Sequence, residues 1–292
     1  MRRHAARSTQ FANLTVGVGG KHAGPSVRQT QPMTSTANAR QTALVTGATA
    51  GIGNAFATEL ARRGYALVLT ARDTARLEQT ADSLRAKHRV RVDVLGADLT
   101  TTEGVQRVAD AVTDHGVDLL VNNAGSSLGR CFGQSDIAEE SRQLDLLVRA
   151  PMHLTDAALA VMLPRGSGQI INVSSVAGFT PRGTYSAHKA WLINFSQWLN
   201  FTYAEAGVVT MALCPGFVRT EFHQRMGVDT TEIPRWMWLR ADNLVVAALA
   251  DLDKGKAISI PSVRYQVLAN LARHVPPRVV ARFAKLGRKV RQ

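Results

Sequence analysis

Tyr185 and Lys189 stand four residues apart at the start of a segment with apolar residues at helical spacing, so a helix there puts both on one face. An ammonium beside a phenol lowers the phenol's pKa, and the pair is expected to exchange a proton near neutral pH. Ten residues earlier, Ser174-Ser175 closes a short apolar run that reads as a strand. A serine hydroxyl at that strand end can hold a carbonyl oxygen beside the phenol. The set suits hydride transfer: the phenol moves the oxygen's proton while a nicotinamide exchanges hydride at carbon.

A second constellation lies near residue 46. The apolar run Ala43-Leu44-Val45 leads straight into Thr46-Gly47-Ala48-Thr49-Ala50-Gly51-Ile52-Gly53 and then a helical pattern. Glycines between a strand and a helix allow a tight turn and a close backbone approach to pyrophosphate, and the helix N-terminus favours its charge. The next strand ends at Thr70-Ala71-Arg72. Sites for NAD(H) usually place a carboxylate there to hold the ribose hydroxyls. With Ala71 at that place and a guanidinium beside it, a 2′-phosphate fits better, so NADP(H) is the preferred cofactor, with NAD(H) as the alternative. Asp73 is expected to cap the following helix.

The spacing Thr46-Gly47-x-x-x-Gly51-x-Gly53 resembles the T-G-x-x-x-G-x-G of the short-chain dehydrogenase/reductase family, with 3-oxoacyl reductases as the nearest type. Four further stretches follow in the family's order: Asp98-Leu99, Asn122-Asn123-Ala124-Gly125, the Ser175/Tyr185-x-x-x-Lys189 set, and Pro215-Gly216-x-x-x-Thr220. The resemblance implies catalysis by Ser175, Tyr185 and Lys189. Ser175 is preferred to Ser174 because it lies three residues before Gly178. For the cofactor it implies Thr46, Gly47, Gly51, Ile52 and Gly53 at the turn, and Asp98 and Leu99 at the adenine. Asn122, Ala124 and Gly125 are implied along its middle, for Asn122 on a par with a purely structural role. At the nicotinamide it implies Tyr185, Lys189, Pro215, Gly216 and Thr220. No metal is implied.

Two departures from the family stand out. Leu147 occupies the position where the family carries an Asn that completes a catalytic tetrad and fixes a water for proton relay. The loop from Ser175 to Tyr185 is also shorter than usual. His188, near that loop, reads as a surface or helix-facing residue rather than a second base.

These residues need a frame. Apolar runs at Thr42–Thr46, Ala66–Thr70, Val90–Leu95, Leu119–Val121, Gln169–Val173, Val208–Leu213 and Ala257–Ile260 read as strands apolar on both faces. Between them, Asn54–Arg63, Thr74–Lys87, Thr102–Asp114, Glu139–Met162 and Tyr185–Glu205 carry helical spacing. The alternation predicts an α/β fold, one Rossmann-like doubly wound parallel sheet over residues 41–260 with helices on both faces. Its ligand crevice should open at the carboxyl ends of the strands.

The chain has 292 residues and a formal charge of +13. Residues 1–40 and 273–292 hold six and seven Lys/Arg and no acid, so the span 41–272 is neutral. Residues 1–40 are expected to be a disordered basic extension, residues 1–32 of it upstream of a true start at Met33, with a targeting segment as the other reading. In residues 261–292, Val279, Phe283, Leu286 and Val290 fall on one face of a basic amphipathic helix. It is expected to pack on the substrate loop or a neighbouring subunit, or to contact a membrane surface or an acidic partner. Nucleic acid is not an expected partner, because no reading motif accompanies the charge. Cys131 and Cys214 cannot build a disulfide framework, and a cytoplasmic location is expected.

The connection 217–240 is long and holds Phe217, Phe222, Met226, Trp236, Met237, Trp238 and Leu239, which reads either as a lid over an apolar substrate or as core packing. The expected function is NADPH-dependent reduction of a ketone or 3-oxoacyl group on a lipophilic substrate, in a homo-oligomer. An NAD-dependent alcohol dehydrogenase and a non-catalytic cofactor-sensing protein are the alternatives.

Overall fold

The computed structural model describes residues 41–221 and 233–274. The expected extension 1–40, Phe222 and Met226 of the long connection, and the basic segment beyond His274 lie outside the described residues.

Seven strands form one sheet: β1 (Thr42–Thr46), β2 (Ala66–Ala71), β3 (Val92–Gly96), β4 (Leu119–Asn122), β5 (Gly168–Val173), β6 (Val208–Leu213) and β7 (Ile258–Ser259). Their order is β3-β2-β1-β4-β5-β6-β7, and every pair is parallel. The helices are α1 (Gly51–Arg62), α2 (Thr74–His88), α3 (Thr102–Asp114), α4 (Ile137–Leu144), α5 (Ala150–Arg165), α6 (Thr184–Tyr203), α7 (Ala241–Leu252) and α8 (Val263–His274). The expected doubly wound sheet is therefore what the chain forms.

Burial explains the apolar runs. Ala43 and Val45 face a core shared with α1, α2 and α7, whereas Leu44 between them faces a second core with α3 and α5. Leu67, Val68 and Leu69 divide the same way. A strand covered on both sides has no polar face to show in its sequence.

Strand ends moved by one or two residues. β3 begins at Val92 rather than Val90, because Arg89 caps α2 in the left-handed region (φ 56°) and the chain needs the next residues to re-enter the sheet. β7 keeps only Ile258 and Ser259, the residues paired to Ala212 and Leu213.

The expected helix Glu139–Met162 is a continuous helical stretch from Ile137 to Arg165, long and apolar enough to cross a membrane, but with a five-residue π turn at Asp145–Arg149. Pro151 supplies the reason: it has no N–H to return to the Leu147 carbonyl four residues back. The Ala150 N–H instead reaches the Asp145 carbonyl, five residues back. Leu147, Ala150, Leu154, Ala158 and Met162 are buried against the sheet and α3, which makes this a core helix.

Candidate active site

The sheet's topological switch lies between β1 and β4, and the carboxyl ends of both strands converge there. Gly47 and Gly51 both sit at positive φ (66° and 57°), a conformation that admits glycine most readily. A Cβ on Gly53 would collide with the Gly47 carbonyl and the Asn123 side chain, so Gly53 lets the turn close on itself. α1 then starts at Gly51 with no side-chain cap on its N-terminal amides and no acidic residue in its first turn. Uncapped amides at the head of a twelve-residue helix suit a pyrophosphate.

The structure redraws two expected contacts. Thr46 is 1% exposed; its hydroxyl lies 3.3 Å from the Val121 carbonyl as donor and accepts from Asn123 N and Ala124 N, each at 2.9 Å. Asn122 is 3% exposed and donates to Asn172 Oδ1 at 2.9 Å, while Asn172 donates to Ser196 Oγ at 2.9 Å. Both side chains are enclosed in the frame between strands, so neither faces the crevice. Asn123, which carried no individual expectation, does the joining: its Nδ2 reaches the carbonyls of Thr46 at 2.8 Å and Gly47 at 3.2 Å. A second Asn after a buried strand end was the available signal for it. Ile52 is half-buried against the α1 core. Asp98 accepts from Thr100 N at 3.0 Å and its hydroxyl at 2.9 Å, and Leu99 is buried on the α3–α5 side.

At the end of β2, Arg72 is exposed and forms no ion pair among the described residues. Asp73 caps α2, accepting from Arg76 N at 3.0 Å.

At the other end of the crevice, β5 delivers Ser174 and Ser175. Ser174 is buried and donates to the Lys189 carbonyl at 2.7 Å. Ser175 accepts from Ala177 N at 3.1 Å and is hydrogen-bonded to the Tyr185 hydroxyl. Lys189, 4% exposed, donates to the Val173 carbonyl at 2.7 Å, and its Nζ lies 5.7 Å from the Tyr185 ring centre. The structure thus brings the expected Ser, Tyr and Lys into one cluster.

The electrostatics differ from the expectation. Desolvation pushes the Tyr185 phenol up to about 12, which the Ser175 hydrogen bond only partly offsets. Desolvation also pulls Lys189 down to about 8. Removal from water dominates for both groups, so at neutral pH the phenol keeps its proton and the lysine remains largely charged.

Leu147, on the π turn, is 1% exposed. Its Cδ2 lies 3.1 Å from the place a Cβ on Gly125 would take, a place 3.9 Å from Lys189 Nζ. An apolar side chain therefore lies close to the lysine. His188 is buried rather than on the surface; burial lowers its pKa, and the Glu140 carboxylate on α4 partly restores it.

The loop after β6 closes the crevice. The Pro215 carbonyl accepts from Val176 N at 3.0 Å. Thr220 folds over the glycine turn, its Cγ2 2.8 Å from where a Cβ on Gly51 would be. The stems of the long connection are zipped: Leu239 N donates to Phe217 O at 2.8 Å and Arg219 N to Leu239 O at 3.0 Å. Phe217 packs on Trp238 with ring centres 5.9 Å apart. Arg76 of α2 forms a two-pronged ion pair with Glu221, one prong at 3.0 Å.

The short chain dehydrogenase family profile matches residues 41–230. An uncharacterized oxidoreductase of Staphylococcus epidermidis is 32% identical over 226 residues, 76% of this chain and 94% of that one. The 3-oxoacyl-acyl-carrier-protein reductase of Aquifex aeolicus is 31% identical over 183 residues, 61% of this chain and 74% of that one. Among solved structures, a short-chain dehydrogenase from Sphingobium yanoikuyae in complex with NADPH superposes with a TM-score of 0.74 at 33% identity, covering 86% of this chain and 97% of that one. The bulky-bulky ketone specific alcohol dehydrogenase from Comamonas testosteroni gives 0.70 at 32% identity, covering 86% and 95%. The chain belongs to the short-chain dehydrogenase/reductase family. It is an oxidoreductase that uses a nicotinamide dinucleotide.

Proposed function

We propose that this enzyme reduces a ketone or 3-oxoacyl group on a lipophilic substrate with NADPH. The observation that carries the reading is the Ser175–Tyr185–Lys189 cluster, part-buried at Ser175 and Tyr185 and buried at Lys189, with its phenol held protonated. In this reading Ser175 orients the substrate carbonyl oxygen by hydrogen bond and Tyr185 gives it the proton. Lys189, anchored on the Val173 carbonyl, stabilises the phenolate that results. NADPH, when bound, supplies the hydride. The glycine turn and the uncapped amides of α1 would hold its pyrophosphate, and Arg72 its 2′-phosphate.

Three findings support the cofactor and substrate class. Arg72 is an exposed guanidinium without an ion pair among the described residues, beside Ala71 rather than a carboxylate. The related Sphingobium structure holds NADPH. The Comamonas relative acts on bulky ketones and the Aquifex relative on 3-oxoacyl groups, and Phe217, Trp238 and Trp236 give this chain an aromatic approach to the site.

The enzyme in this reading is a homo-oligomer, for which Trp198 (53% exposed) and Phe201 (74%) on α6 offer contact area. It works in the cytoplasm, where the free, exposed Cys131 would stay reduced.

The test is NADPH oxidation against ketones and 3-oxoacyl thioesters of rising chain length, with NADH in parallel. We expect kcat/KM to climb about tenfold for every two methylenes buried. A flat response ends the lipophilic reading. Equal rates with NADH end the NADPH reading, and NADPH binding without turnover across the panel leaves a cofactor-sensing protein.

A further inference from the structure

α8 turns an apolar face outward. Tyr265 and Ala269, 3% and 2% exposed, hold it against the fold, with the Tyr265 ring filling the space that a Cβ on Gly216 would need. Val263, Val267 and Leu271, spaced four apart, are 75%, 60% and 58% exposed, and Leu268 is 42% exposed. At about 100° per residue these four cover an arc of roughly 140° that excludes the buried pair. An outward apolar arc of that width marks a contact surface. Trp236, 58% exposed, lies one residue from Met237, whose carbonyl accepts from the Tyr265 hydroxyl at 2.8 Å.

The sequence from just before this helix to the end of the chain is one-signed in charge. The last acidic residue of the chain is Asp253, and residues 254–292 carry ten Lys/Arg. Arg264 lies inside the arc, and the segment carrying seven of the ten begins at the end of α8.

We propose that α8 docks the enzyme on an anionic lipid bilayer, with the Lys/Arg-rich sequence from residue 254 onward supplying the attraction. Val263, Val267, Leu268 and Leu271 enter the acyl boundary and the cations meet the headgroups. Apolar insertion and cationic attraction are the two contributions such docking requires, and here they adjoin in one stretch of chain. A second copy of this chain would cover the apolar arc but would bring ten cations against ten. An acidic protein would match the cations but does not by itself account for the open apolar row. The position suits the enzyme: the Tyr265 hydroxyl also accepts from Phe217 N at 3.1 Å, so α8 is tied to both stems of the connection beside the site. A lipophilic substrate would then leave the bilayer next to the crevice.

The experiment is co-sedimentation of the full chain with vesicles of phosphatidylcholine alone or mixed with phosphatidylglycerol, without substrate. Failure of the ketone-reductase reading therefore leaves its result standing. We expect binding at least about tenfold tighter to the anionic vesicles, weakening with salt. The pair Val267→Asp and Leu271→Asp should weaken it about tenfold while the melting temperature and turnover of a short soluble ketone stay unchanged. Arg282→Glu with Lys285→Glu should do the same to anionic binding alone. Absence of vesicle binding overturns the proposal, as does binding that both variants retain. It is equally overturned if, with vesicles unbound, the Asp pair alters subunit number by light scattering or an acidic carrier protein binds.

Discussion

The two ends of the crevice are built differently. At the cofactor end, Thr46, Asn122, Asn123 and Asn172 lace the ends of β1, β4 and β5 together through buried and part-buried hydrogen bonds. Each is worth about 1 kcal/mol net, and losing one partner costs more because the other is left buried and unpaired. At the substrate end, the described stems of the 217–239 connection are joined by a short backbone zip, by the Tyr265 hydroxyl and by the half-exposed Arg76–Glu221 ion pair. The first end is rigid because its polar groups have no water to fall back on. At the second, half-exposed groups such as Arg76 and Glu221 can exchange their bonds for water at less cost.

Four measurements would break or sharpen this contrast. The largest effect is expected from Tyr185→Phe, which removes the proposed proton donor and leaves the frame. Carbonyl reduction should fall about a thousandfold in kcat while NADPH affinity, read by fluorescence titration, is retained. Retained turnover would remove Tyr185 from the chemistry. Arg72→Ala should weaken NADPH by about ten- to a hundredfold and leave NADH nearly unchanged. An equal loss for both would move the 2′-phosphate site elsewhere.

The pH profile comes next. With the phenol at about 12 and the lysine at about 8, both are protonated below pH 8. The rate of reduction should be level there and fall by up to about tenfold per unit above it as Lys189 loses its charge. Lys189→Arg should remove that limb while lowering the plateau. The smallest effect belongs to Glu221→Gln, which breaks the half-exposed pair with Arg76. It should raise the KM of a bulky ketone by at most about fivefold and leave kcat unchanged.

Most of the frame was legible in the sequence because a doubly covered sheet writes its strands as plain apolar runs, as at Ala43-Leu44-Val45 and Leu67-Val68-Leu69. The bounds of β1, β6 and α3 read directly from those patterns. Other features were not legible. Nothing local distinguishes Thr46 facing a cofactor from Thr46 facing Val121, because that depends on β4, some 75 residues away. The π turn could have been anticipated from Pro151, since a missing donor disturbs the helix four residues earlier.

The sequence by itself determined the family and the sheet, and pointed to Ser175, Tyr185 and Lys189 as one set, because ordered motifs between apolar runs depend on spacing alone. Only the tertiary structure decided the protonation of that set, the inward turn of Asn122 and the outward apolar face of α8. Each of these depends on what surrounds a side chain, and desolvation and contact arise only once distant segments pack together.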